Sequence, residues 1–457
     1  MKIALYILLP VILLSAGSCK KWLDVDPRSV VKEKEMFEDV QGFRTALMGV
    51  YTKMASRDLY GANLTIGFID VLAQYYSIES NQHSFFNYSS YDYEVARGIP
   101  DAVWKNGYAV IANCNNILEN IEKKRSLFKN GEYDLIRAEA TAVRAYMHFD
   151  LLRLFAPSYT VNPSAPAIPY VDRISHIPFK QLTVAQVLTA VMKDVQQAAD
   201  LLRTVDPLSP DYNGAAGAVA EVPQFFTFRQ ERMNYYAVLG ALARASLYGD
   251  DKTKAAGFAA KVLERGSATP VFTLYTDKSW DNSDLYFNSE APALSKLTVP
   301  EGRKYEFYET ALYGSVDTRY KDWFRYYPGS NEEFMSKYMR SIPQNGNPPN
   351  MILMRPEEMN YILAECASSE EEAVKQLNLV RNRYGLSKVN DLAAGVHNVE
   401  DETAKEYRKM FIGEGQLFFY YKRKNTDPIP YSLTEDVQKA YVLPVPDVEV
   451  EFGNIQN

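Results

Sequence analysis

The sequence EYDLIRAEATAVRAYMHFDLLRLF, residues 132–155, has the strongest helical pattern of the chain. Apolar residues recur every three or four positions, and a second apolar row beside the first leaves little of the helix surface for water. The Ala-Pro pair at 156–157 predicts the end of the helix, because proline disfavours helix in the residue before it. A helix that is apolar on nearly all sides belongs in the middle of an all-helical body. We interpret its charged residues first as structural ion pairs.

Helical spacing recurs on both sides of this segment. Further helices are predicted at residues 35–55, 101–125, 183–204, 231–249, 250–265, 355–367, 370–384 and 403–421. Short loops join several of them, which is typical of antiparallel helical hairpins. Small residues of 231–249 face those of 250–265 with a spacing that resembles a tetratricopeptide repeat, although no strict repeat period holds along the chain. The predicted fold is all-α, with tetratricopeptide-like helical hairpins and long irregular loop insertions.

Two long tracts without a helical period, residues 56–100 and 266–350, form these insertions. Both combine aromatic residues with Asn, Asp, Ser and Gly. Flat aromatic side chains can cover the C–H faces of sugar rings, while Asn, Asp or Arg at the edge bind the hydroxyls. The predicted ligand-binding residues are Tyr75, Tyr76, Asn87, Tyr88 and Tyr91 in the first tract and Trp280, Asp281, Tyr286 and Tyr305 in the second. The alternative is that such aromatics pack onto the helices, and we expect this for most of them.

The first 18 residues have the pattern of a secretory leader, with Lys2, an apolar run at 3–14 and small residues before Cys19. The sequence that ends at Cys19 resembles the lipobox of bacterial lipoproteins, in which the cysteine becomes the lipid-modified first residue of the mature chain. The alternative is an ordinary cleavage site followed by an incidental cysteine. Several acyl chains on one cysteine would hold a domain stably at a membrane surface.

The expected organisation is therefore a signal peptide at 1–18 and one mature domain at 19–457. Within that domain we expect an N-terminal half to about residue 265, the loop-rich insertion at 266–350 and C-terminal helices at 351–457.

Composition and motifs argue against several function classes. The net charge is −7, and no tract dense in Lys or Arg follows the leader, which argues against a nucleic-acid surface. The three cysteines and four histidines lack metal-ligand spacing, so no metal or other cofactor is predicted. Glycoside hydrolysis needs two suitably spaced carboxylates, but acidic runs such as Glu357/Glu358 and Glu370–Glu372 are typical of solvated helix starts. We predict a protein that is not an enzyme, with a glycosidase on a helical scaffold as the weaker alternative.

Five stretches along the chain match one family in that family's order. The sequence from Cys19 to Pro27 resembles a lipid-bearing N-terminus, residues 137–155 a central helix, residues 355–365 with 377–383 a C-terminal helix pair, residues 411–419 a Glu-Gly-aromatic segment, and residues 443–446 a closing tract. The family that shows these features is that of the SusD/RagB-like outer-membrane lipoproteins of Bacteroidetes.

This resemblance implies a helical body of tetratricopeptide-like hairpins, anchored to the outer membrane by lipid and facing the exterior. It implies a partner, a SusC-like TonB-dependent barrel transporter, over which the lipoprotein closes as a lid. The ligand class that it implies is usually an oligosaccharide, while some relatives take peptides. A glycan-binding lid is therefore the main expectation, and a peptide-binding lid of the same build is the alternative.

Overall fold

The computed structural model describes residues 35–213, 224–275, 297–326, 333–338, 351–432, 434, 437–453 and 455. The helices of these residues are α1 (Val40–Met54), α2 (Phe68–Leu72), α3 (Phe86–Ser89), α4 (Gly98–Lys123), α5 (Glu132–Phe155), α6 (Val184–Val205), α7 (Tyr235–Tyr248), α8 (Lys252–Leu263), α9 (Glu301–Phe307), α10 (Thr310–Tyr313), α11 (Thr318–Asp322), α12 (Pro356–Cys366), α13 (Glu370–Arg383), α14 (Val399–Met410), α15 (Gln416–Lys424), α16 (Val437–Tyr441) and α17 (Asp447–Phe452). The predicted all-α class is confirmed.

Short strands make a minor contribution to the fold. They are β1 (Pro166–Pro169), β2 (Gln181–Thr183), β3 (Phe272–Leu274), β4 (Phe324–Tyr326), β5 (Glu333–Met335) and β6 (Met351–Met354). All pair antiparallel, β1 with β2, β3 with β6 and β4 with β5. The pair β3–β6 ties the start of the second irregular tract to the C-terminal helices.

Helix α5 is the predicted central helix, and its ends agree with the sequence pattern. All of its residues except Asp134 and Arg137 are buried. Helices α4 and α6 both pack against it. In α4, a Cβ added at Gly107 would lie 3.1 Å from the Leu151 side chain, so the lack of a side chain there permits the close approach of α4 to α5. Ala156 is extended and ends the helix, as the following proline predicts.

The remaining long helices form the predicted hairpins. Helix α7 packs on α8, α8 also packs on α12, and α12 packs on α13. Thr183 is the predicted N-cap of α6, and it forms a full capping box with Gln186. Asn234 caps α7 in a similar way, since its side chain accepts a hydrogen bond from the Ala237 N–H. Sequential hairpins of this kind produce the layered, tetratricopeptide-like body.

The predicted helix at 403–421 is wrong, because the chain forms two helices there. Helix α14 ends at Met410 and α15 begins at Gln416. Between them, Gly413 and Gly415 have φ values of +80° and +70°, which favour glycine and break an α-helix. The Gly413 N–H donates to the buried Asp70 carboxylate at 2.6 Å. The apolar spacing continues across this break, so periodicity alone does not reveal it.

The charges of α5 form buried ion pairs, as predicted. Glu139 accepts hydrogen bonds from Arg229 and from Arg232, and Arg232 Nη2 lies 2.6 Å from Glu139 Oε1. Arg144 pairs with Asp194 at 2.5 Å. These contacts connect the central helix to the segments on either side of it, so α5 organises the body through charges as well as apolar packing.

The interpretation of Glu357/Glu358 as a solvated helix start is wrong. Both carboxylates are buried at the start of α12. Glu358 binds the Arg244 guanidinium through two hydrogen bonds of 2.7 and 2.6 Å, and Glu357 accepts one of 2.8 Å from Arg383. They are structural ion pairs between helices. Glu370–Glu372, in contrast, lie exposed in the first turn of α13, as predicted.

His148 provides a pH-dependent element within the core of α5. Its Nδ1–H donates to the Arg144 carbonyl and its Nε2 accepts from the Val171 N–H, both at 2.9 Å, so the ring is held neutral. Burial lowers the pKa of His148 to about 3. The unfolded chain, with an ordinary histidine, therefore binds the proton more readily between pH 6.5 and 3, and stability must fall as the pH falls through this window.

We expect the free energy of unfolding to drop by roughly 2 kcal/mol between pH 6.5 and 4.5, at about 1.36 kcal/mol per pKa unit. Urea unfolding at half-unit pH steps measures this drop. The His148→Gln variant, which cannot titrate there, is expected to lose most of the slope. The exposed His176→Gln variant serves as the control and is expected to keep it; equal slopes in all three proteins would contradict the assignment.

Candidate functional site

Four predicted ligand-binding residues of the first tract are buried, which agrees with the alternative that such aromatics pack onto the helices. Their hydroxyl groups bond to main-chain atoms: Tyr75 donates to Arg408 O at 2.8 Å, Tyr76 to Ile66 O at 2.9 Å and Tyr91 to Leu72 O at 3.0 Å, while Tyr88 accepts from Ile99 N at 3.1 Å. Burial raises the pKa of Tyr75, Tyr88 and Tyr91. These four rings attach the tract to the helices, and little of their surface is exposed to solvent.

The other predicted residues have different positions. Asn87 lies half-buried in the short helix α3, where its main-chain carbonyl accepts from the Asp92 N–H at 2.8 Å, and its ligand role stays a prediction. Trp280, Asp281 and Tyr286, together with Cys19, lie outside the described residues. Tyr305 is exposed at the end of α9.

The two irregular tracts contact each other directly. Arg303 in α9 donates from Nη1 to the carbonyl oxygens of Gln74 and Tyr76, at 2.9 and 3.2 Å. The Tyr75 ring meets the Phe307 ring edge to face, with centroids 5.9 Å apart. Residues 74–76 of the first tract thus pack against α9, the helix that carries Tyr305.

Three tyrosines of the second tract form one surface, which we call the Tyr305 platform: Tyr305, Tyr320 and Tyr326. Tyr305 is 38% exposed and Tyr326 is 55% exposed, while Tyr320 is partly buried. The ring centroids of Tyr305 and Tyr320 are 6.1 Å apart, with an angle of 38° between their planes. Tyr326 in β4 is close enough to act electrostatically on the Tyr305 hydroxyl. The platform is therefore open to solvent and is built from α9, α11 and β4.

Buried groups hold the platform from below. The Lys304 ammonium lies 4.4 Å from the centroid of Tyr320 and 5.2 Å from that of Phe324, as cation–π contacts. The buried Tyr308 ring packs edge-on against both of these rings at 5.8 Å. A ring fixed in this way, as Tyr320 is, loses little conformational freedom when a ligand binds, which favours affinity.

A carboxylate adds polar chemistry at the platform edge. The Tyr305 hydroxyl donates to Glu301, and this hydrogen bond raises the pKa of Tyr305, so the phenol stays protonated at neutral pH. The second Glu301 oxygen and the tyrosine hydroxyls can exchange hydrogen bonds with ligand hydroxyl groups. Flat rings beside such groups match the mixed apolar and polar faces of a sugar.

The sequence analysis does not identify Tyr320 and Tyr326 as site residues. Both belong to the aromatic tract, but no regular spacing connects them to Tyr305. Their contact depends on how the chain turns between α9 and β4, which local sequence patterns do not specify.

The described residues also enclose a cleft away from the Tyr305 platform. The cleft, of about 730 Å³, lies between the end of the first tract and the closing segment, with Tyr91, Tyr93, Phe155 and Leu443 in its walls. All four side chains are buried, so they expose little surface for stacking.

No group of three or more His, Cys, Asp or Glu residues in the described part of the chain is placed to hold a metal ion. The same residues include no helix that is long and apolar enough to cross a membrane.

Comparison with known proteins points to one family. A SusD-like family model described as "Starch-binding associating with outer membrane" matches residues 21–220, and the SusD family model matches residues 287–449. A SusD-like protein of Formosa agariphila is 26% identical over 218 residues, which cover 45% of this chain and 39% of that protein. This chain therefore matches well under half of the length of that curated relative.

Solved structures share the fold. A SusD superfamily protein from Bacteroides thetaiotaomicron superposes with a TM-score of 0.73 over 92% of this chain and 99% of its own, at 20% identity. Surface glycan-binding protein A from Bacteroides uniformis superposes with a TM-score of 0.67 over 91% of this chain and 99% of its own, at 16% identity. At these identities the likeness concerns the fold alone.

Proposed function

Because the chain belongs to the SusD family, we propose that it is a non-catalytic, cell-surface protein that binds oligosaccharides. The Tyr305 platform is the observation that carries this proposal. It presents two exposed rings over a rigid base, beside a carboxylate, on the tract where sugar-stacking aromatics were predicted.

The platform chemistry suits capture and release of a ligand. Covering roughly 100 Å² of sugar face at about 25 cal/mol/Å² stabilises each stacked ring by ~2.5 kcal/mol before ordering costs. Two or three such contacts give affinities on the order of micromolar to millimolar. A protein that passes its ligand to a transporter requires affinities of this order, since tighter binding would slow release.

The proposal includes the location and partner that the family resemblance implies. A leader at 1–18 would be removed, and Cys19 would carry the lipid that holds the mature domain, 19–457, at the outer membrane and facing outward. A SusC-like TonB-dependent transporter would be the partner, with this chain as its lid. The family model described as associating with the outer membrane supports this placement.

We expect the Tyr305→Ala and Tyr326→Ala variants each to weaken oligosaccharide binding about tenfold to a hundredfold, since each removes one stacking face. Isothermal titration calorimetry with maltoheptaose, cellohexaose, xylohexaose and laminarihexaose measures the affinities. Tyr212→Ala is the matched control, because Tyr212 is also 38% exposed but lies outside the platform. Binding that is unchanged in both platform variants would contradict the site. Tight binding of peptides alone would favour the peptide-binding alternative, and release of reducing sugar would favour the glycosidase.

A further inference from the structure

A groove runs along the exposed side of helix α1, apart from the Tyr305 platform. One wall is the α1 row Gln41, Thr45, Met48 and Thr52, whose spacing of three or four residues places them on one helix face. The opposite wall is formed by Phe225, Phe228 and Tyr275, and the enclosed volume is about 560 Å³. We call this cleft the α1 groove. At 1.5 Å per residue, its helical wall is roughly 16 Å long, which is room for about three sugar rings.

The aromatic wall is unusually open to solvent. Phe228 is 61% exposed and Tyr275 is 46% exposed, and Met48 faces them from α1, also exposed. Single exposed apolar residues are ordinary, but several that line one concave cleft indicate a binding surface.

The backbone conformation of Phe228 is a second indication. Its φ and ψ values are +52° and 37°, the left-handed region that residues with a Cβ rarely adopt. Phe228 gains little from packing to offset that strain, since most of its side chain is in solvent. An exposed aromatic residue held in a strained conformation is typical of a site where the ring has a function outside the fold.

The two arginines at the base of the groove are held by ring and carboxylate contacts, and Glu231 also lines the groove. The guanidinium groups of Arg44 and Arg232 lie over the Phe225 ring, with their central carbons 5.3 and 4.0 Å from its centroid. Arg44 is bound to Glu132 by two hydrogen bonds, one of them 2.9 Å long, and Arg232 to Glu139 by bonds of 3.0 and 2.6 Å. Because each cation already has a carboxylate partner, these two arginines favour a neutral ligand over an anion.

The polar groups of the helical wall favour a ligand that donates hydrogen bonds. The Thr45 hydroxyl donates to the Gln41 carbonyl at 2.9 Å, and the Thr52 hydroxyl donates to the Met48 carbonyl at 3.0 Å. With the protons used in this way, the lone pairs of both hydroxyls remain as acceptors. A ligand that combines flat C–H faces with many hydroxyl donors satisfies both walls.

We propose that the α1 groove is a second carbohydrate-binding site, which takes a neutral oligosaccharide of about three rings. It shares no residue with the Tyr305 platform and rests on the proposed function only for the class of ligand. Two sites on one chain would raise the affinity for glycans long enough to reach both, without any new contact at either site.

The test uses Phe228→Asn, because Asn tolerates the left-handed conformation while the stacking ring is removed. The variant is made in the full chain and in a platform variant that carries both Tyr305→Ala and Tyr326→Ala. Binding of maltoheptaose, cellohexaose, xylohexaose and laminarihexaose is measured by calorimetry, and the midpoint of thermal unfolding is measured in parallel. The exposed Phe452→Ala variant on α17 is the matched control for loss of a surface phenylalanine.

The platform variant is expected to keep residual binding, which Phe228→Asn reduces at least tenfold, with the unfolding midpoint unchanged or higher. Phe452→Ala is expected to change neither quantity. If the platform substitutions abolish all binding, or the residual binding does not respond to Phe228→Asn, the groove site is overturned and the proposed function stands. If Phe228→Asn alone abolishes all sugar binding, the groove stands and the platform is overturned. Binding of peptides but none of the four sugars in the groove would also overturn this inference.

Discussion

Replacing Glu406 by Gln is expected to lower the free energy of unfolding by about 3–5 kcal/mol, the cost of breaking a buried ion pair. Glu406 in α14 is fully buried and contacts three cations that are also fully buried. Arg319 donates to its carboxylate at 2.8 Å, Arg381 at 3.4 Å and Lys409 at 3.3 Å. Glutamine keeps the size of the side chain but removes the charge that these three groups share.

Further carboxylates set the charge balance of this cluster. Asp317 accepts from Arg319 at 2.7 Å, and Glu309 accepts from Lys409 at 2.6 Å. Lys405 also pairs with Glu309 and with Glu402, so four negative groups face four positive ones. The Glu406→Gln variant would therefore leave one uncompensated positive charge in the core, where desolvation makes it costly.

The pH dependence of Glu406 has a definite sign. Burial would raise the pKa of Glu406, but the ion pairs with Arg319 and Lys409 outweigh it and hold the pKa below the ordinary value. The contribution of this carboxylate to stability is therefore present above about pH 4.3, the ordinary value for Glu, and is lost as the pH falls through the lowered pKa.

Urea unfolding at pH 7 measures the effect of Glu406→Gln. The control is Glu371→Gln, the same chemical change on an exposed position in the first turn of α13. It is expected to cost at most about 0.5 kcal/mol, as for ordinary surface substitutions. A loss below about 1 kcal/mol at Glu406 would mean that the cluster tolerates an unpaired cation and is not a structural centre.

This cluster also shows where sequence patterns lose their predictive value. The apolar pattern of α5 is sufficient to predict a buried central helix, because burial on all sides is a local signal that is visible in every turn of residues 132–155. Glu406 and Arg319 are 87 positions apart. Nothing in the sequence near either residue indicates that the other is its partner. The same limit explains Glu357/Glu358, whose partners Arg383 and Arg244 lie on other helices.

The candidate site was predictable only in part. Composition indicates aromatic side chains throughout residues 266–350, and in the described part of this tract Tyr305 is exposed. Composition could not separate Tyr305 from Tyr75 or Tyr91, because a tyrosine in a polar tract can either anchor that tract or face solvent. The partner of the hydroxyl group distinguishes these roles. The Tyr75 and Tyr91 hydroxyls donate to main-chain carbonyls inside the fold, whereas the Tyr305 hydroxyl donates to the Glu301 carboxylate at the exposed edge of the platform.

The turn between α14 and α15 holds a buried carboxylate of a different ion-pair group. Glu414 lies between the two glycines of the turn, and it is buried against Arg355 at 2.5 Å and Lys337 at 2.6 Å. The Glu414 side chain points into the core because Gly413 and Gly415 on either side of it adopt left-handed conformations. A helix running through this segment, as the sequence spacing suggested, would give Glu414 a different direction.

Replacing Gly415 by Ala is expected to destabilise the fold for two reasons that can be separated. The left-handed conformation, at φ +70°, costs about 1–2 kcal/mol for a residue with a Cβ. The added Cβ would also lie 2.4 Å from the Leu64 carbonyl oxygen, a main-chain atom that cannot rotate away, which adds about 1–3 kcal/mol of overpacking. Gly395→Ala is the matched control, because Gly395 has φ +71° and nothing within 4 Å of the added Cβ. Urea unfolding should show a lower free energy of unfolding in both variants, with the larger decrease in Gly415→Ala. Equal decreases would mean that the turn can shift away from Leu64. The position of Glu414 would then not depend on this close approach.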